Sequence, residues 1–112
     1  MTTAEEKFRK ILEIVSPILL ALNQGKYADI DYRMMSIKPD LKNLRAEIEP
    51  QKTSLEHGTI KLIYRENENR VFVFTTSMAS WRLAQIISQA LKKEKIRYAN
   101  ILHLAPTKQK GE

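Results

Sequence analysis

The chain has 112 residues, no cysteine and a formal charge of +6, with 43% hydrophobic and 29% charged residues. That length and balance suit one domain with an ordinary core and exclude a disordered chain. The missing cysteine excludes disulfides, thiolate metal sites and a thiol nucleophile.

The charge is unevenly placed. Residues 1–56 carry as many Lys/Arg as Asp/Glu, whereas residues 57–112 hold the entire excess of +6. A basic half of this kind favours a polyanionic partner, RNA or DNA.

In chain order, Phe8, Ile11, Leu12, Val15, Leu19 and Leu22 recur at helical spacing and predict a first helix. Ser16-Pro17 reads as an N-cap followed by a first-turn proline, so this is either one kinked helix or two short ones parted near Pro17. Gly25 is the expected stop. The opening "MTTAEEKFRKILEIV" lacks the pattern of a signal peptide, and "PILLAL" is too short to span a bilayer. The expectation is a cytoplasmic protein with no membrane partner.

Residues 27–37 alternate Ile30, Tyr32 and Met34 with Asp29, Asp31 and Arg33, which predicts a strand with one wet face. Pro39-Asp40 marks a turn. Residues 44–49 also alternate and read as a strand, although the spacing of Leu41, Leu44 and Ile48 would suit a helical turn. Next, "TIKLIYR" and "RVFVFTT" form a hairpin around the "ENEN" of residues 66–69. Its second strand is apolar on both faces, with Val71 and Val73 on one and Phe72 and Phe74 on the other. A helix over about 78–95 buries Leu83, Ile86, Ile87, Ala90 and Leu91. "RYANILHLA" is a last short strand, and a flexible basic tail begins near residue 106. The sum is a single α+β domain of order α-β-β-β-β-α-β: a mainly antiparallel sheet of four to five strands with helices on one face.

No catalytic signature is present. His57 and His103 do not have zinc-ligand spacing, and the three glycines form no phosphate loop. Asp29 and Asp31 share a strand face without a third acidic residue nearby, which suits a solvated surface better than acid–base chemistry. The expectation is therefore a non-enzyme with no metal and no cofactor.

The junction "TTSMASWR" places Thr76 or Ser77 as the N-cap of the second helix, with Arg82 one turn in. Free amides at such a start attract anions, and the alternative is a plain capped turn with Trp81 tucked against the sheet. Residues 59–91 resemble the hairpin and helix of the small dimerising subunit of the KEOPS tRNA-modification complex. Ser77, Trp81, Arg82 and Leu83 stand at the matching places, while Ile86-Ile87 replaces the polar pair that family carries. The resemblance implies dimerisation through the sheet and an accessory, non-catalytic part in handling tRNA.

The functional expectation is a binding module for nucleic acid or a ribonucleoprotein. Arg65, Arg70, Ser77, Arg82, Lys92, Lys93, Lys95 and Arg97 would form the anion-binding set. Val71, Phe72, Val73 and Phe74 would supply a homodimer interface. The alternative is a homo-oligomeric adaptor without nucleic-acid contact.

Overall fold

The computed structural model describes residues 3–27, 35–50 and 59–103. Helix α1 (Ala4–Asn23) precedes strands β1 (Met35–Asp40), β2 (Arg45–Pro50), β3 (Ile60–Arg65) and β4 (Arg70–Thr75), then helix α2 (Met78–Lys93) and strand β5 (Tyr98–Leu102). The expected α+β order is observed.

Helix α1 is continuous rather than broken. Thr3 caps it by accepting the Glu6 amide at 3.1 Å, and Glu5 and Glu6 suit the positive end of the helix dipole. Pro17 removes one backbone donor, but it lies on the exposed side beside Ser16. There water can satisfy the carbonyl left without a partner. The Ser16 hydroxyl donates to the Leu12 carbonyl at 2.8 Å. Val15, Ile18, Leu19 and Leu22 are buried on either side of the proline and hold the helix down. Gly25, at φ 75°, ends it: the Lys26 amide reaches back to the Ala21 carbonyl and the Gly25 amide to Leu22.

The sheet has the order β1-β2-β3-β4-β5, so consecutive strands are neighbours. The first three pairings are antiparallel. β5 returns parallel to β4 because α2 carries the chain back along the sheet between them. Both helices pack on one face. Against them lie Met35, Ala46, Ile48, Ile60, Leu62, Tyr64, Val71 and Val73, all in one cluster with the buried residues of α1 and α2.

Two details differ from expectation. The turn before β2 spans residues 41–44, and Pro39 and Asp40 belong to β1. Edge position permits this, since β1 pairs only with β2 and a proline needs no ladder partner on its open side. Trp81 is half-buried and does not join the core cluster. Of the strand expected over 27–37, residues 28–34 lie outside the described residues, as do Asp29, Asp31, His57 and the basic tail.

Candidate nucleic-acid interface

The strand alternation buries one face under the helices, and among the described residues no element packs on the other. On β3 the buried residues alternate with Lys61, Ile63 and Arg65, and on β4 with Arg70, Phe72 and Phe74. Register aligns Phe72 with Ile63 and Ala99, and Phe74 with Lys61 and Ile101. These side chains share one side of three adjacent strands.

The open face has two unlike halves. Over β1 and β2 it carries Lys38, Asp40, Arg45, Glu47 and Glu49. Lys38 pairs with Glu49 at 2.6 Å, and its hydrogen bond with that carboxylate raises the lysine pKa, while Glu47 stands in register between Lys38 of β1 and Lys61 of β3. Hydrogen bonds from the Asn43 side chain and backbone hold the Asp40 carboxyl below its ordinary value. Over β3, β4 and β5 the face carries Lys61, Arg65 and Arg70 around apolar side chains, with no carboxylate on those strands.

Within this second half the Phe72 and Phe74 rings stack at 6.1 Å between centroids with an interplanar angle of 23°. The Arg65 guanidinium lies 5.2 Å from the Phe72 ring centroid, a cation–π distance. Arg65 and Arg70 are direct register partners. The Arg70 Nε is buried and has no hydrogen-bond partner.

The fold sorts the expected site residues into two groups. Arg65 and Arg70 end β3 and begin β4, so they lie at the hairpin end of the sheet. Because α2 runs back toward that end, Lys92, Lys93, Lys95 and Arg97 arrive there too. The Arg97 carbonyl accepts the Val71 amide at 2.9 Å, and its guanidinium Nη1 donates to the Glu68 carbonyl at 3.4 Å. Among the described residues none of these six cations pairs with a carboxylate.

Ser77 and Arg82 lie at the other end, about 17 Å away along a six-residue strand. Ser77 caps α2, its hydroxyl accepting the Ser80 amide at 3.2 Å. Ser80 returns a bond to the Ser77 carbonyl at 3.1 Å. Arg82 lines a groove between the helices with Ile18, Tyr27 and Ile86. The junction is thus a well-capped turn, and of the other expected cations Lys93 alone lines the same groove as Arg82.

The four expected interface residues also divide. Val71 and Val73 are fully buried under the helices and cannot reach a partner through the open face. Phe72 and Phe74 are half-buried on that face. Two cations that the sequence did not single out, Lys7 and Lys10, join Lys95 and Arg97 around a depression at the hairpin end. Their only signal was the i, i+3 spacing that puts them on one side of α1.

Among the described residues no group of three or more His, Asp or Glu converges for a metal, and no helix is long and apolar enough to cross a membrane. No family model, curated protein or solved structure matches the chain.

Proposed function

We propose that the protein is a non-catalytic binding module that takes a nucleic-acid strand on the β3–β5 half of its open sheet face. One observation carries the reading: two stacked phenylalanines lie among Lys61, Arg65 and Arg70 with no carboxylate on those strands. Single strands are held by aromatic rings on which bases stack and by cations that follow the phosphates. The sequence carries no recognisable groove-reading motif, which favours contacts to backbone and base faces over sequence readout. The resemblance of residues 59–91 to the KEOPS small subunit makes tRNA the first RNA to try.

The test is a titration of labelled single-stranded RNA, tRNA and duplex DNA at several salt concentrations. The expected result is single-strand binding with a log–log salt slope of magnitude about 3 to 6. Absence of binding to any of them at low salt overturns the reading.

The apolar character of the same face supports a second use. Ile63, Phe72, Phe74 and Ile101 would be covered in a homodimer formed sheet to sheet, which is the alternative adaptor reading. Sedimentation equilibrium separates them: a concentration-dependent dimer that loses oligonucleotide binding as it forms favours the adaptor.

A further inference from the structure

At the hairpin end, on the helix side of the sheet, a depression of about 150 Å³ lies between the first half of α1, the end of β3 and the α2–β5 connection. Four cations line it, Lys7, Lys10, Lys95 and Arg97, and no carboxylate does. They come from two segments far apart in sequence, so only the fold gathers them. Its floor is apolar, formed by Ile11 and Ile96.

Polar groups complete the wall. The Tyr64 hydroxyl donates to the Asn69 Oδ1 at 2.7 Å, a bond that uses the amide oxygen and leaves the amide nitrogen as a donor. Burial raises the Tyr64 pKa, so the phenol stays neutral and adds no negative charge. Arg97 spends one of its five N–H donors on the long 3.4 Å contact to Glu68 and keeps the rest. Lys95 is held at φ 60°, a left-handed conformation at which glycine is the easy choice for a helix end.

Size restricts the occupant. The volume equals about five waters and is half the lower limit of ordinary small-molecule pockets, about 300 Å³. A single tetrahedral anion fits within it, whereas a nucleoside would project into solvent. We infer that this depression is a phosphate-group site. It deepens the nucleic-acid reading and rests on it in one respect: the source of the phosphate would be the end of a strand lying on the adjoining open face, where Arg65 and Arg70 lie at the same end of the sheet. The other source of the same chemistry is free phosphate.

Two measurements test it. The first follows backbone amide shifts while inorganic phosphate is added against chloride at matched ionic strength. Saturable shifts should concentrate at Lys7, Lys10, Asn69, Lys95 and Arg97, with the exposed Lys26 and Lys42, which line no part of the depression, as internal controls. Diffuse shifts, or equal shifts at the controls, overturn the site whatever oligonucleotides do. The second compares single strands ending in a 5′-phosphate, a 3′-phosphate or hydroxyls. A gain of about fivefold or more for one phosphorylated end, lost in Lys10→Gln and in Lys95→Gly, assigns the strand end as source. Localised phosphate shifts without any end preference support the site and assign free phosphate. Localised shifts with no oligonucleotide binding sink the nucleic-acid reading alone. Lys95→Gly relaxes the helix end, so a loss of binding in that variant is not a loss of folding.

Discussion

Arg65 and Arg70 are register partners at the mouth of the β3–β4 hairpin, and both lie on the open face of the sheet. Like charges directly opposite across a strand pair repel. Arg65 finds partial relief over the Phe72 ring, whereas the Arg70 Nε is buried without a partner. An arriving phosphate would offset the two like charges. Replacing either arginine by glutamine should lower the salt slope of oligonucleotide binding by about 1. Folding stability should stay level or rise slightly. A variant that keeps the full slope would place the phosphate contacts elsewhere.

Phe72 and Leu62 should separate binding from folding. Leu62 is fully buried in the core, so Leu62→Ala should cost about 2–5 kcal/mol of stability. Phe72 lies outside the core cluster. Phe72→Ala should weaken single-strand binding by about 1–3 kcal/mol, the usual value of one stacked base, with a smaller loss of stability than Leu62→Ala. Urea unfolding and anisotropy titration of both variants check this. A Phe72→Ala variant that binds normally removes the stacking platform from the reading.

The sequence made most of the fold legible because its periodicities are clean. The alternation of β4 divided Val71 and Val73 from Phe72 and Phe74, and the core cluster follows that division. Pro17 misled in part, since a proline reads as a break until one knows that its face meets water. Pro39 misled in the same way, because only the sheet order reveals an edge strand. The site was less legible. Composition located positive charge in the second half of the chain, but it could not say that α2 returns Lys95 and Arg97 to the hairpin while leaving Arg82 behind. Lys7 and Lys10 sit in the charge-balanced half, where no count distinguishes them. Only the packing of α1 beside the α2–β5 connection brings them to the other cations.

The two helix ends make opposite predictions. Both place their C′ residue in the left-handed region, Gly25 at φ 75° and Lys95 at φ 60°. A Cβ at Gly25 would meet nothing within 4 Å, so the penalty of Gly25→Ala is purely conformational. It should be about 1–2 kcal/mol. Lys95→Gly should run the other way and stabilise by up to about 1 kcal/mol, the relief of the left-handed strain less the extra freedom glycine brings to the unfolded chain. Denaturant midpoints of the two variants should move in opposite directions. If both fall, the α2 end depends on the lysine side chain.

Tyr64 predicts an alkaline limit on stability. Its side chain is buried, and its hydroxyl donates to Asn69 at 2.7 Å. Burial, with a smaller contribution from the Glu66 charge, raises its pKa above the ordinary 10.0. The fold therefore favours the neutral phenol. Its contribution is fully present below the unfolded value and is lost as pH rises through the higher folded value. Above about pH 10 the unfolded chain releases this proton first, and stability falls. Tyr64→Phe cannot ionise and should lack that share of the decline. At neutral pH it should cost about 0.5–1.5 kcal/mol for the lost hydrogen bond. The low end of that range is expected, since Asn69 is exposed and water can replace the phenol. Urea unfolding of both proteins from pH 8 to 11 is the measurement. The difference between them should shrink and then change sign as pH rises, because the other lysines and tyrosines titrate alike in both. A constant difference across that range would mean that Tyr64 ionises as readily in the folded protein as in the unfolded chain.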